Sequence, residues 1–345
     1  MSSARPTVTA AEAQPPFFVG VDLGGTNIKV GLVDDRGRTL AALSVPTEVE
    51  RGAEDGVRRM GEAVRRTIAE AGLKPADIAR VGLGMPGTMD VPAGMLLEPV
   101  NLPSWRHFPI RDRLAHHAGL PVTYANDAKA AAFGEAWAGA GSGLRSMVLF
   151  TLGTGIGCGI IVDGVLVVGE HSHGAECGHI LIDFRDDART CGCGKTGHLE
   201  AYASATALIK RTHEALSAGR KSSLSARLAH GVELTPLLVN QEAEAGDELA
   251  LEIVLDTARY LAVGVVTLMH TIDPQGVFLG GAMTFGGNAA PIGRRFLETI
   301  RAEVRRRALP VPAAETRIEF ATLGGDAGYI GAAGLARQEY QRLAK

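Results

Sequence analysis

Cysteine is scarce in this chain, with four in 345 residues. Two of them, Cys191 and Cys193, share one short cluster, so no disulfide framework is available and a reducing, cytoplasmic setting is expected. Blocks of like charge are also missing. The formal charge of -3 is spread along the sequence, which argues against a nucleic-acid groove or a membrane-surface helix. No apolar run is long enough to span a bilayer. The first sixteen residues, Met1 to Pro16, lack the basic start and apolar core of a signal peptide. They are small, polar and proline-containing, and are expected to form a disordered tail. What remains is ordinary globular material, 46% hydrophobic and 21% charged, of a length that predicts about two domains.

The most informative stretch runs from Gly174 to Glu200. It reads Gly-Ala-Glu-Cys-Gly-His, a spacer, then Cys-Gly-Cys-Gly-Lys-Thr-Gly-His-Leu-Glu. His179, Cys191, Cys193 and His198 are four soft or borderline donors within twenty residues, enough to close a tetrahedral zinc site. Gly192, Gly194 and Gly197 let the backbone fold tightly enough for the donors to converge. The competing reading is a glycine-rich turn with two buried thiols. Two carboxylates, Glu176 and Glu200, are interleaved with the donors. Zinc does not need them, so they point to a polar ligand beside the metal.

A second pattern occurs twice. The apolar run from Phe17 to Val21, the turn Asp22-Leu23-Gly24-Gly25-Thr26-Asn27 and the run Ile28 to Val33 predict a hairpin. Neither a G-x-G-x-x-G fingerprint nor a P-loop occurs there, and a strand rather than a helix follows the glycines. The backbone of such a turn can hold an anion, or it can be a plain tight turn. Met147 to Phe150, then Thr151-Leu152-Gly153-Thr154-Gly155-Ile156-Gly157, then Ile160 to Val162 repeat the unit. Leu23-Gly24 and Leu32-Val33-Asp34 match Leu152-Gly153 and Ile161-Val162-Asp163 at one constant offset, which implies two related halves.

Elsewhere, Val57, Met60, Val64 and Ile68 form the apolar stripe of a helix over 54–72. A strand from Ile78 to Leu83 runs into the turn Gly84-Met85-Pro86-Gly87, and Asn101-Leu102-Pro103-Ser104-Trp105 is a loop. Pro121 to Tyr124 predicts a strand that Asn126-Asp127 closes, with an alanine-rich helix after it. Asp127 at a helix start reads first as an N-cap, and second as a base at a strand end facing a ligand. Residues 205–250 are helical and charged, without evident chemistry. A long helix from Asp247 to His270, a strand at Val277 to Leu279, a turn at Gly280-Gly281, a strand at Thr316 to Ala321 and a small-residue helix from Asp326 complete the chain.

The motif around the cluster resembles that of the ROK family of sugar kinases and repressors, which shows Gly-Glu-x-Gly-His followed by Cys-x-Cys-Gly-x-x-Gly-Cys-x-Glu. Glu176, Gly178, His179, Cys191, Cys193, Gly194, Gly197 and Glu200 match; His198 replaces the third cysteine and Ala175 a glycine. The resemblance covers nearly everything after residue 17. It implies an α/β, two-domain actin/hexokinase-like (ribonuclease H-like) fold with an interdomain cleft. The expected domains are 17–138 with the C-terminal helix at about 328–345, and 139–327 carrying the metal motif. It also implies an ATP-dependent hexose kinase, a glucokinase acting on the C6 hydroxyl. N-acetylmannosamine, N-acetylglucosamine, mannose and fructose are the alternative substrates.

By the same resemblance Asp127 is the catalytic base, and Gly87, Asn101, Asn126, Asp127, Glu176, His179 and Glu200 hold the sugar. Asp22, Gly24, Gly25, Thr26, Gly153, Thr154, Gly155, Gly280 and Gly281 lie along ATP. Mg²⁺ rides with the nucleotide near Asp22, and a structural Zn²⁺ sits on His179, Cys191, Cys193 and His198. The partners are then a sugar, no nucleic acid and no membrane, with a homodimer as the default. A repressor would need a helix-turn-helix before Phe17, and sixteen residues are too few for one.

Overall fold

Chain order begins with a meander of β1 (Phe17–Leu23), β2 (Asn27–Val33) and β3 (Thr39–Pro46), followed by α1 (Gly52–Glu70). Then come β4 (Ile78–Met85), the short β5 (Thr88–Asp90) and β6 (Met95–Glu98), α2 (Ile110–Ala118), β7 (Val122–Asn126) and α3 (Asp127–Ala138). The second half opens with β8 (Met147–Leu152), β9 (Ile156–Val162) and β10 (Val165–Leu166). Helices α4 (Glu200–Ala203), α5 (Ala205–Ser217), α6 (Ser223–Ala229), α7 (Pro236–Glu244) and α8 (Glu248–Ile272) follow. The chain closes with β11 (Gly276–Gly281), α9 (Pro291–Arg307), α10 (Pro310–Glu315), β12 (Arg317–Phe320) and α11 (Ala327–Leu343). This computed structural model describes residues 7–99 and 102–344.

The two halves repeat one sheet plan. The first sheet has the order β3-β2-β1-β4-β7 and the second β10-β9-β8-β11-β12. In the first, the three meander strands are antiparallel and β4 and β7 continue parallel to β1. In the second, β11 and β12 likewise continue parallel to β8. The constant sequence offset is thus the trace of a repeated topology.

The chain divides into two compact units. One comprises the residues through Leu144, Gly159–Ala175 and Thr322 onward; the other is Arg145–Cys158 with Glu176–Ala321. The expected boundary at 138/139 moves to 144/145, and residues 159–175 join the first unit rather than the second. The return to the first unit falls at Thr322, before the final helix begins.

In the first unit, alternation sorts the strand residues onto two unlike faces. Val19, Val21, Leu23, Val81 and Leu83 point into a core with Val57, Met60, Val64 and Ile68 of α1. The opposite face carries glycine where α11 crosses it, at Gly20 and Gly82. A Cβ at Gly20 would lie 1.8 Å from the carbonyl oxygen of Tyr329, and one at Gly82 would lie 1.8 Å from that of Ala332. Helix α11 therefore rests directly on the sheet backbone. It meets α3 as closely, since a Cβ at Gly331 would fall 1.6 Å from the Ala130 carbonyl oxygen. Small residues let both helices sit at backbone contact, which fixes where the N-terminal ends of α3 and α11 lie.

The expected disordered tail is corrected from Thr7 on. The Val8 amide donates to the Thr39 carbonyl at 2.9 Å, and Gln14 exchanges bonds with Asp34 and Asp35. Val8 and Ala13 pack against the core. The segment has no periodicity of its own; it is held by the β2–β3 turn, which its sequence does not reveal.

Candidate functional site

Within the first unit, β1 ends and α3 begins beside the N-terminal turn of α11. Asp22 lies on the glycine face of β1, and a Cβ at Gly328 would be 2.3 Å from its Oδ2. Burial, then the nearby Asp127 carboxylate, push the Asp22 carboxyl up to about 6, while Lys29 acts in the opposite sense. Lys29 pairs with Asp22 in the β1–β2 register, and its Nζ donates to the Gly325 carbonyl at 2.7 Å. Two carboxylates and one ammonium thus share a small space at the strand ends, the place where open α/β sheets take ligands.

The helix start bears on the first reading of Asp127, that of an N-cap. Asn126 is the N-cap: its Oδ1 accepts from the amides of Ala128 at 3.0 Å and Lys129 at 3.3 Å. Asp127 is the first residue inside α3, and its Oδ1 accepts from Ala128 at 2.8 Å. With the cap supplied by its neighbour, the Asp127 carboxylate is not required for that purpose.

The first hairpin turn is exposed at Gly25, Thr26 and Asn27. Its rear is braced by Thr47, which sequence reading passed over. The Thr47 hydroxyl donates to the Gly24 carbonyl at 2.7 Å and its amide to the Thr26 carbonyl at 2.8 Å. Gly87 has φ 101° and lies against Pro99, so its backbone demands glycine on structural grounds alone. Asn101 lies outside the described residues.

In the second unit, the β8–β9 turn is held in the same manner by other partners. The Ala205 amide donates to the Gly153 carbonyl at 2.9 Å, and the Thr206 hydroxyl to the Thr154 carbonyl at 2.9 Å. The Ile156 amide donates to Glu200 Oε2 at 2.9 Å, and a Cβ at Gly155 would collide with that carboxylate. Gly280 and Gly281 are not a free turn but the last residues of β11, paired with Thr151 and Leu152 of β8. Gly281 has φ 89° and packs on the Leu152 backbone. Gly153, Thr154, Gly155, Gly280 and Gly281 therefore gather at one edge of the second unit.

A Cβ at Gly153 meets nothing within 4 Å, whereas one at Gly24 or Gly155 would clash. A side chain at this position would project into open space without disturbing the fold. On the nucleotide contact that the sequence resemblance implies for this turn, Gly153→Val should leave the melting temperature unchanged and raise the KM for ATP by roughly tenfold or more, with the KM for sugar little altered. A change confined to the sugar would remove the turn from nucleotide binding.

The metal motif also belongs to the second unit. One donor atom each from His179, Cys191, Cys193 and His198 lies within 4.8 Å of the others. Cys193 Sγ is 3.2 Å from His198 Nδ1, and Cys191 Sγ is 3.9 Å from His179 Nδ1. The glycines make this possible: Gly194 and Gly197 have φ of 83° and 79°, and a Cβ at Gly197 would sit 1.8 Å from the Asp183 carbonyl oxygen. Two thiols and two imidazoles at this spacing fit zinc by donor type and number. Burial pushes the Cys191 thiol up to about 12, so a metal ion would have to displace its proton. Glu200 bridges this motif and the hairpin, since its Oε1 takes a hydrogen bond from Cys191 at 3.3 Å while Oε2 holds Ile156.

Glu176 is exposed at the start of the turn that carries His179. The residue before it, Ala175, has φ 62°, a left-handed conformation that costs a residue with a Cβ about 1–2 kcal/mol. Ala175→Gly should therefore stabilise the protein, by about 0.5–1 kcal/mol once the freedom of glycine in the unfolded chain is set against the relief. Urea unfolding measures this, and an unchanged or lower midpoint would show that the conformation carries no strain.

Comparison with known proteins follows the same outline. A family model described as "ROK family" matches residues 18–339. A glucokinase of Halalkalibacterium halodurans is 34% identical over 95% of this chain and 97% of its own length. The crystal structure of a ROK hexokinase from Thermus thermophilus superposes with a TM-score of 0.77 at 34% identity, covering 94% of this chain and 99% of that one. A ROK family glucokinase from Streptomyces griseus, solved in complex with glucose and AMPPNP, gives 0.74 at 33% identity, covering 93% and 99%.

Proposed function

The chain belongs to the ROK family, and from that footing we propose that it is an ATP-dependent hexose kinase that phosphorylates the C6 hydroxyl of glucose. Its fold is the two-domain, actin/hexokinase-like α/β fold of its structural neighbours. The observation that carries the substrate is the near full-length similarity to glucokinases, one of them solved with glucose and an ATP analogue.

Phosphoryl transfer asks a protein for position and charge more than for covalent chemistry. The C6 oxygen attacks the γ-phosphorus, the bond from that phosphorus to the bridging oxygen breaks, and ADP leaves. Asp127 accepts the proton of the attacking hydroxyl. Asn126 uses its carbonyl oxygen as the helix cap, which leaves its amide hydrogens to donate to the sugar. Glu176, His179 and Glu200, with Gly87 and Asn101, complete the sugar contacts in this reading. Glu200 has acceptor capacity beyond the bond from Ile156, because a carboxylate offers about four lone-pair positions.

Asp22, Gly24, Gly25 and Thr26 on one hairpin, and Gly153, Thr154, Gly155, Gly280 and Gly281 in the second unit, receive the nucleotide. Mg²⁺ bound with ATP would supply charge neutralisation on the phosphates. His179, Cys191, Cys193 and His198 would hold zinc in a structural role, orienting the His179 ring through Nδ1 and leaving Nε2 for a sugar hydroxyl. No helix among the described residues is long and apolar enough to cross a membrane. A cytoplasmic homodimer completes the proposal.

The test is mass spectrometry of the products after incubation with ATP, Mg²⁺ and each of glucose, mannose, fructose, N-acetylglucosamine and N-acetylmannosamine. Glucose 6-phosphate should form with the highest kcat/KM. A faster reaction with another sugar would reassign the substrate, and the absence of any phosphorylated sugar would refute the kinase reading.

A further inference from the structure

One fully buried carboxylate has no part in the chemistry above. Glu135 lies two turns beyond Asp127 on the same helix, α3, and is 0% exposed. A carboxylate without water must find hydrogen-bond donors, because burying it unpaired is costly. All its donors among the bonds seen come from two other segments of the first unit. The Ala140 amide donates to Oε2 at 2.8 Å. From 187 residues away, the Thr322 amide donates at 3.0 and 3.1 Å and its hydroxyl at 3.3 Å. The Leu323 amide adds a bond to Oε1 at 2.7 Å.

Those two segments have a topological meaning. The chain first leaves the first unit after Leu144, passes through it again over Gly159–Ala175, and returns to it for the last time at Thr322. The peptide that Glu135 holds at Ala140 leads into the first crossing, and the peptide at Thr322 and Leu323 ends the last one. The main-chain carbonyl of Glu135 adds to the grip, accepting from Gly139 at 3.1 Å and Gly141 at 3.0 Å. Gly139 leaves room for the carboxylate, since a Cβ there would be 2.1 Å from Oε2. Only a carboxylate meets these demands, because backbone amides approach both oxygens and a carboxamide would turn an N–H group toward one of them.

We propose that Glu135 is a positioning residue for phosphoryl transfer: it fastens the helix that begins with Asp127 to the first-unit segments beside the first and the last of the chain's four crossings, so the place of the base is set by those segments. This rests on the kinase reading. Helix α3 cannot easily bend, because α11 touches its backbone at Ala130 and Gly134. A shift of the Glu135 end is therefore transmitted along a rigid helix to Asp127, and a misplacement of about 1 Å at a reacting group can lower a rate by roughly 10²-fold.

Three variants test this: Glu135→Gln, Gly139→Ala, which presses on the carboxylate from outside the helix, and Thr322→Val, which removes only the longest bond. Glucose calorimetry counts competent molecules, and kcat is expressed per sugar-binding site. Glu135→Gln and Gly139→Ala should bind glucose within about twofold of the wild-type affinity and lose roughly 10- to 100-fold in kcat. Thr322→Val should lose less than either. In an Asp127→Asn background, Glu135→Gln should cost nothing further, since a residue acting through the base has nothing left to position. The proposal is overturned if kcat per site is unchanged while only the melting temperature falls, or if the two losses multiply. Should Glu135→Gln fail to fold, Gly139→Ala decides by the same measures, alone and in the Asp127→Asn background. A wild-type protein that phosphorylates no sugar would instead refute the kinase reading, and this inference with it.

Discussion

Asp127→Asn should bind glucose with wild-type affinity and turn it over roughly 10²–10⁴-fold more slowly. The substitution is nearly isosteric, and its side-chain oxygen can keep the bond from the Ala128 amide that Asp127 now accepts at 2.8 Å. Asn126 continues to cap the helix in either case, so α3 should not fray. The one property removed is the capacity to take a proton from the sugar hydroxyl. The substitution also deletes a negative charge that acts on Asp22, so nucleotide binding should be retained or tightened rather than lost. Calorimetry with glucose and steady-state kinetics at saturating ATP measure the two parts separately. Turnover within about threefold of wild type would remove Asp127 from proton transfer.

The second large effect concerns the metal motif. The purified protein should carry one tightly held zinc per chain, and Cys191→Ala should lose it. Cys191 is the buried donor of the set, while Cys193 is exposed and lies beside His198. Replacing it also deletes the thiol that hydrogen-bonds Glu200, whose other oxygen braces the β8–β9 turn through Ile156. The expected result is zinc-free protein with a lower melting temperature and at least roughly tenfold weaker binding of glucose, through loss of the fixed His179 ring. Because Cys191 must give up a proton held up to about 12, zinc affinity should fall as the pH is lowered. His198→Cys should keep the metal, since zinc accepts either ligand at that position, and His198→Ala should weaken it. Elemental analysis after washing with a weak chelator reads all three variants. A zinc-free wild type that is fully active would refute the site.

Sequence and tertiary structure contributed different kinds of knowledge. The strand–glycine–strand repeat was legible at a constant offset because hairpins are made by neighbours in the chain, and the equal strand orders of the two sheets show what that offset encodes. The His/Cys cluster was legible for the same reason: four donors within twenty residues can converge through local glycine turns alone. The α1 stripe of Val57, Met60, Val64 and Ile68 followed from helical periodicity and is buried as a set. Where a residue's role depends on partners distant in sequence, the sequence was silent or misleading. Between neighbours it could mislead too: Asp127 read first as a helix cap, yet the adjacent Asn126 takes that part. Residues 7–16 read as disordered because their anchors, Asp34 and Thr39, lie after β2 and at the start of β3.

By itself, then, the amino-acid sequence determined the local elements, their duplication and the His/Cys cluster, all products of backbone periodicity and short loops. Only the tertiary structure decided that the glycines of β1 and β4 seat α11 at backbone contact, that Asp22 and Asp127 act on one another, and that Glu135 gathers the segments beside the first and last chain crossings. These depend on the register in which strands and helices meet across long separations. Such contacts leave no periodic trace, because a buried carboxylate or a glycine looks the same in sequence whether its partner is three residues away or 187.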